Sequence, residues 1–233
     1  MLSYLLTPIT MIYRSLADIN IYDSPKLDRL ATQMAKGRYL QVIESQLDFL
    51  KIQLLEDDYE GLLDRQDFKK LEISDRQSFI DNLPPILSAQ EISDRHTKVI
   101  TFIRQAMSAP NEYLWGGTVA PNYDCSGLMQ AAFASVGIWI PRDAYQQEEF
   151  GKPVSIEEIQ IGDLIFFGNP TKATHVGIYI GNSGYIHSSG KEHGHNGIAI
   201  SELAGLDRVS QWYANQLRVV ARITTCSKVG TLF

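Results

Sequence analysis

The sequence has little with which to brace itself covalently. It holds two cysteines, Cys125 and Cys226, in 233 residues. Two thiols build neither a disulfide scaffold nor a four-cysteine zinc site. It also lacks an excess of positive charge, with a formal net charge of −6. That excludes a protein whose main task is gripping nucleic acid, which requires a basic stripe. No long apolar run is present. The stretch from Met1 to Tyr13 is broken by Pro8, has no Lys or Arg ahead of its apolar part and shows no small-residue cleavage site. It reads as neither a signal peptide nor a membrane span, so a soluble, cytoplasmic protein with no membrane span is expected. Internal repeats, phosphate-cradling glycine loops and a Gly-x-Ser-x-Gly elbow are absent too. His193-Gly-His195 has no third ligand nearby and reads as an exposed glycine-rich loop, so no metal and no cofactor is expected.

What the chain does have is core material: 44% hydrophobic and 10% aromatic residues, enough for packed domains. Tyr13–Tyr22, Leu40–Ser45, Phe49–Leu54 and Leu62–Asp64 alternate or lean towards β, with turns at Ser24-Pro25 and Glu56–Gly61. Four or five strands in so short a stretch predict a small open barrel. Pro84-Pro85 marks a boundary. Beyond it, Ile92, His96, Val99, Ile100, Ile103 and Met107 recur at helical steps, and Pro110 ends that helix. A second helix starts near Cys125 and carries Leu128, Met129, Ala132, Phe133 and Val136 on one face, with Gly137 placed to cap it. Strands follow at 162–168, 175–180, 185–188 and 217–223. The expected class is α+β, with a barrel over 1–82, a linker over 83–95 and a helix-then-sheet domain over 96–233.

Cys125 is the residue with the most chemistry. It sits in Asn122-Tyr-Asp-Cys-Ser-Gly127, where a loop turns into a helix. Unpaired N–H groups and the dipole at a helix start favour thiolate over thiol, and a thiolate is a nucleophile needing only a proton-handling partner. The plain structural alternative is a small buried hydrophobe, but Asp124, Ser126 and Gly127 are poor core company. His175 and His187 are the partners, one as base and the other as the polar group that orients it. This requires both on one face of the hairpin they share. An even two- or four-residue loop puts them on opposite faces, whereas a three-residue loop at Gly181–Ser183, or a bulge, brings them together across Gly177. Cys226 has no histidine near it in sequence and reads as incidental. A bridge from it to Cys125 would destroy the nucleophile.

These residues resemble the NlpC/P60 cysteine peptidases. The match lies in Asp124-Cys125-Ser126-Gly127, Gly162-Asp-Leu-Ile-Phe-Phe167, His175-Val-Gly-Ile-Tyr-Ile-Gly181 and His187-Ser188, with Tyr113-Leu-Trp-Gly-Gly117 ahead of the cysteine. It spans about residues 95 to 222. The resemblance implies a papain-like catalytic domain with Cys125 as nucleophile, His175 as base and His187 as third polar residue. It implies cleavage of peptidoglycan stem peptides between γ-D-glutamate and a diamino acid. Residues 1–80 resemble a bacterial SH3-type barrel, with Leu62 where such domains often carry tryptophan after glycine. The pairing is similar to two-domain members of the family thought to act on cut muropeptides of the L-Ala-γ-D-Glu-diaminopimelate type, in wall recycling. An acid must then meet the free L-alanine ammonium. Asp124 is the candidate, with an N-cap role as its alternative. Ser126 could add a hydrogen bond, and Tyr59 on the barrel's acidic turn could wall the site. Tyr113 is either a donor near the oxyanion or ordinary packing. Two other functions fit the residues: a non-catalytic cell-wall-binding module, and a Cys–His amidase or acyltransferase on another substrate.

Overall fold

The structure, a computed structural model, describes residues 11–226. The apolar start read from Met1 onward lies outside that range except for its last residues. Seven short strands build the first unit: β1 (Ile12–Ser15), β2 (Ile19–Tyr22), β3 (Leu30–Met34), β4 (Tyr39–Ser45), β5 (Phe49–Leu54), β6 (Glu60–Asp64) and β7 (Leu71–Ser74). All neighbours are antiparallel, in the order β3-β2-β6-β5-β4-β1-β7. Strict alternation in β5 turns Leu50, Ile52 and Leu54 inward, where they meet Ile19, Ile21, Met34, Leu40 and Leu63. Seven strands replace the expected four or five. Tyr13–Tyr22 breaks into two strands, and β7 is an edge on β1 whose Glu72 and Ile73 face water, so its pattern carries no alternation.

Helix α1 (Arg76–Asp81), capped by Asp75, closes the barrel by burying Phe79 against Tyr39. Helix α2 (Ala89–Ser108) starts inside the stretch expected as linker, because Ser88 and Glu91 form a reciprocal capping box. Its buried face is the predicted one: Ile92, His96, Val99, Ile100 and Ile103. A two-stranded ribbon, β8 (Thr118–Val119) and β9 (Asn122–Tyr123), leads into α3 (Cys125–Ala134). Gly137 follows α3 with φ +77°, while Val136 lies beyond the helix rather than on its face.

After α4 (Ala144–Phe150) come β10 (Lys152–Val154), β11 (Leu164–Gly168), β12 (Ala173–Gly181), β13 (Gly184–Ser189), β14 (Gly197–Glu202), α5 (Arg208–Ala214) and β15 (Leu217–Arg222). The sheet is six-stranded and antiparallel, ordered β10-β15-β11-β12-β13-β14. One face, with Leu164, Phe166, Val176, Ile178 and Ile186, packs under α2 and α3. The other, with Ile165, Phe167, Tyr185 and Val220, packs under Val209 and Tyr213 of α5. The chain is thus α+β, with a helix-on-sheet domain behind a barrel.

The two units are bolted together by polar groups rather than by a shared apolar core. The Gln33 amide oxygen accepts the N–H groups of Thr118 and Val119 at 3.1 and 3.2 Å, and the Thr118 hydroxyl donates to the Gln33 carbonyl at 2.8 Å. Gln130 of α3 donates to Asp57 at 2.8 Å. Arg142 is the deepest bolt. Its Nε donates to Thr32 Oγ1 (2.8 Å). Its Nη1 donates to Asp124 (3.2 Å) and Ser126 Oγ (2.9 Å). Its Nη2 donates to Asp124 (2.6 Å) and the Ala31 carbonyl (3.4 Å). Every N–H of the guanidinium has an acceptor. Arg142→Ala leaves Asp124 buried and unpaired, and urea unfolding should show a loss of about 3–5 kcal/mol. Arg142→Lys should restore only a minor part, since one ammonium cannot reproduce the fork.

Candidate active site

Cys125 opens α3 because Asp124 caps that helix, its Oδ1 accepting the Gly127 N–H at 2.6 Å. The entry is narrow. A Cβ on Gly127 would stand 2.0 Å from the Gly117 carbonyl oxygen, so the helix start rides against the backbone of the Gly116-Gly117 turn. Gly116 is in the left-handed region at φ +77°, and its N–H donates to Asp124 Oδ2 at 2.8 Å. The glycines flanking Cys125 therefore serve close backbone approach.

The backbone N–H groups of Val176, the residue after His175, and of Ser126 favour the charged form of the Cys125 sulfur. His175 Nε2 lies 2.7 Å from His187 Nδ1, and His187 Nε2 lies 3.0 Å from Ser201 Oγ. His175 thus spends Nε2 on His187 and has only Nδ1 left for a thiol proton. The rings of His175 and Tyr213 stack at 4.2 Å and 22°. The hairpin meets the same-face requirement through a bulge, not through the three-residue loop. Ile178 pairs Ile186 and Tyr179 pairs Tyr185, then the register shifts so that Gly181 pairs Gly184. Asn182 and Ser183, at φ +51° and +61°, make the two-residue turn. His187 falls opposite Gly177, where an added Cβ would meet Tyr185 at 2.8 Å and His187 at 3.3 Å.

A pocket of about 260 Å³ opens over the sulfur. Tyr113, Trp115, Asp124, Cys125, Ser126, Arg142 and Asp143 line it from the second unit, and Asp23, Ala31 and Tyr59 from the barrel. Of the expected residues, Tyr59, Tyr113, Asp124, Cys125 and Ser126 line this pocket, but Asp124 has its oxygens filled by Gly127, Gly116, Ser126 and both Arg142 nitrogens. It is the helix cap of the alternative reading, and no lone pair is left facing an incoming ammonium. Ser126 Oγ is likewise held by Arg142. Burial raises the Tyr113 and Tyr59 phenols, so both are neutral donors. Sequence reasoning missed Arg142, Asp143, Tyr213 and Ser201. Of these only Arg142-Asp143, charged residues directly after Ile138-Trp-Ile-Pro141, left a readable trace. His195, read as an exposed loop residue, sits with Nε2 3.2 Å from Ser201 Oγ.

One expectation is overturned by burial. The helix start was expected to hold a ready thiolate. Instead burial pushes the Cys125 thiol up to about 12, with the Asp124 carboxylate adding to it and the N–H groups and Arg142 opposing it less strongly. Burial also holds His175 down to about 3 and His187 well below its ordinary range, with His175 and His195 as further causes for the latter. The resting pair is a neutral thiol and a neutral imidazole.

A thiol at the head of a helix, set against an antiparallel sheet that presents a hydrogen-bonded imidazole pair, defines the papain-like class of Cys–His site. Comparison with known proteins shows what the two parts of the chain are similar to. Residues 110–217 match the model of the NlpC/P60 family, and residues 21–68 match that of the bacterial dipeptidyl-peptidase Sh3 domain. It is 42% identical over 78 residues to the murein DD-endopeptidase MepS/murein LD-carboxypeptidase of Escherichia coli, covering 33% of this chain and 42% of that protein. It is 42% identical over 79 residues to the γ-D-glutamyl-L-lysine dipeptidyl-peptidase of Bacillus subtilis, covering 33% of this chain and 27% of that protein. Among solved structures, the peptidoglycan hydrolase RipB of Mycobacterium tuberculosis aligns at 28% identity and TM-score 0.48, over 59% of this chain and 69% of that one. The chain spans less than half the length of the two curated relatives.

The buried histidines set a pH dependence. His96, His175 and His187 are each depressed by burial. The unfolded chain therefore binds protons at about pH 6.5 that the folded chain refuses. Stability is full above that pH and falls as pH drops towards the folded values. Denaturation midpoints between pH 6.5 and 5, above the carboxylate range, should decline by up to about 1.4 kcal/mol per unit for each such histidine. His187→Gln should flatten that slope.

Proposed function

We propose that this chain is a cysteine endopeptidase that hydrolyses the γ-D-Glu–diamino acid bond of peptidoglycan stem peptides carrying a free N-terminal L-alanine. The observation that carries the reading is the shape of the pocket: the barrel residues Asp23, Ala31 and Tyr59 wall the space over Cys125. A wall at that end suits the short end of a cut peptide better than a continuous polymer. The Bacillus subtilis relative, a γ-D-glutamyl-L-lysine dipeptidyl-peptidase, supports the bond.

The ammonium partner in this reading is Asp143 rather than Asp124. Asp124 is filled and Asp23 is paired with Arg29 at 2.6 Å. Asp143 lines the same pocket close to Tyr59, and burial raises its carboxyl. An arriving ammonium would offset that burial and draw the carboxyl back to its charged form. Lys172, whose ammonium lies 5.5 Å over the Tyr145 ring, stands at the rim for substrate carboxylates.

The chemistry then runs on this chain's own groups. His175 Nδ1 takes the Cys125 proton as the sulfur attacks the γ-glutamyl carbonyl. The free N–H of Cys125 at the helix start and the Tyr113 hydroxyl stabilise the oxyanion. The C–N bond breaks as the imidazolium gives its proton to the departing diamino-acid amine. Water, deprotonated by His175, then hydrolyses the thioester and restores the thiol. In this reading the chain acts on released muropeptides, in the cytoplasm.

The test is hydrolysis of L-Ala-γ-D-Glu-diaminopimelate followed by chromatography. Cys125→Ala and His175→Ala should each lower kcat by at least about a thousandfold with unchanged unfolding curves. An N-acetylated substrate should lose at least about a hundredfold in kcat/KM, and Asp143→Asn should lose much the same on the free amine. Activity surviving in Cys125→Ala overturns the scheme. Equal cleavage of blocked and free substrates overturns the amine reading alone.

A further inference from the structure

His195 belongs to the loop between β13 and β14, exposed to solvent, yet it is not loose. Its N–H donates to Ser189 Oγ at 3.0 Å. Two residues earlier, the His193 ring stacks on Trp212 of α5 at 3.8 Å and 13°. Arg208 at the head of α5 donates to the Glu192 carbonyl at 3.1 Å. This clamp brings His195 Nε2 to 3.2 Å from Ser201 Oγ, inside the fold, where Ser201 is 3% exposed. The contacts then run without a gap from solvent to the nucleophile's base: His195, Ser201, His187, His175.

A chain of this kind can be ordered in two directions, and only one is productive. For His175 Nδ1 to receive a thiol proton, His175 must carry its own proton on Nε2. His187 Nδ1 then accepts, so His187 carries its proton on Nε2 and donates to Ser201 Oγ. The hydroxyl in turn must place its single proton elsewhere, and His195 Nε2 is the acceptor at hand. In the reverse order His195 donates to Ser201, Ser201 to His187 Nε2, and His187 Nδ1–H to His175 Nε2. His175 then holds its proton on Nδ1 and has no lone pair for the thiol.

We propose that His195 is a positioning residue of this site: by accepting the Ser201 hydroxyl proton it fixes the tautomers of His187 and His175 in the order that leaves His175 Nδ1 open to Cys125. Protonated His195 has donors on both nitrogens and cannot serve. It then competes with His187 Nε2–H for the same oxygen and feeds the unproductive order. The titratable and charged groups around this outer end are His187 and Tyr185 on β13, Asp207 and Arg208 at the head of α5, and Glu192 and His193 on its own loop. Burial raises the Tyr185 phenol, so it stays a neutral group near Ser201.

The inference rests on the peptidase reading only for the substrate used in one arm of its test. In the first arm, nitrogen-15 spectra of histidine-labelled Cys125→Ala protein at pH 8 should place the His175 proton on Nε2. Adding Ser201→Ala or His195→Ala should move a measurable share to Nδ1. Adding His195→Gln should not, because its amide oxygen accepts the Ser201 proton. In the second arm, on the stem peptide, Ser201→Ala should lower kcat by about ten- to a hundredfold and His195→Ala by about three- to tenfold, with KM within about twofold. His195→Gln should keep the rate at pH 8, because its amide oxygen takes over the acceptor role. A His175 tautomer indifferent to both positions, together with an unchanged kcat in both alanine variants, overturns the proposal. A tautomer that follows His195 in a protein that cleaves no stem peptide leaves the relay standing and removes the substrate reading instead.

Discussion

The ion pair between Arg142 and Asp124 is the contact on which the rest of this site hangs. Asp124 is at once the cap of α3, the acceptor for the Gly116 turn and the partner of Arg142. Arg142 reaches past it to Thr32 and Ala31 on the barrel. One guanidinium therefore fixes the angle at which the Cys125 helix begins and the distance of the barrel wall from it. A buried pair of this kind is poor evidence of stability on its own, because desolvation consumes much of the attraction. Its complete hydrogen bonding argues for a second value. It specifies one arrangement of two units whose apolar cores, one around Ile21 and Ile52 and one around Met129 and Val176, do not merge.

Burial and charge pull the Cys–His pair in opposite directions, and burial wins at rest. The first N–H groups of α3 and the Val176 N–H favour the thiolate, but they act on a sulfur that is 6% exposed and beside a carboxylate. A proton moving from sulfur to ring creates two opposite charges side by side. Their attraction in a dry pocket offsets part of what burial costs each. The site is then suited to shed its proton as substrate binds and bond formation starts, instead of storing an exposed, oxidisable thiolate beforehand. Tyr213, stacked flat on His175, holds the ring and excludes water from it.

Much of this was legible in the sequence, and the failures have a common form. The thiol, the two histidines and their requirement for one sheet face follow from local spacing. So do the apolar face of α2 and the inward positions of β5. The bulge at Ile180, not the odd loop, met the face requirement, because alternation states that one residue must be lost without saying where. Local propensity also placed Asp124 correctly at a helix start but could not tell that Arg142 already owned its oxygens. Arg142, Tyr213, Ser201 and His195 act from distant segments brought together by the sheet. Their signals were an arginine after an apolar run, an aromatic in a short helix, a serine in a strand and a histidine in a glycine-rich loop. Each looks ordinary until the sheet order puts it beside the imidazoles.

The barrel's part also changes once the pocket is seen. Leu62 stands where an aromatic after glycine is expected in an SH3-type domain. Yet Tyr59, three residues earlier, contributes an aromatic ring to the pocket over Cys125. Its phenol is raised by burial and by Asp143, which holds it neutral beside the carboxylates. An aromatic used as a wall needs to be fixed in place, and the Gln33 and Arg142 bolts hold that face of the barrel against the site. An aromatic used to grip a distant polymer needs an exposed face and some freedom between domains. The polar bolts across this interface favour the first use over the second. They therefore couple the barrel's stability to the width of the site: loosening the barrel from β8 or Arg142 would enlarge the pocket before it exposed either core.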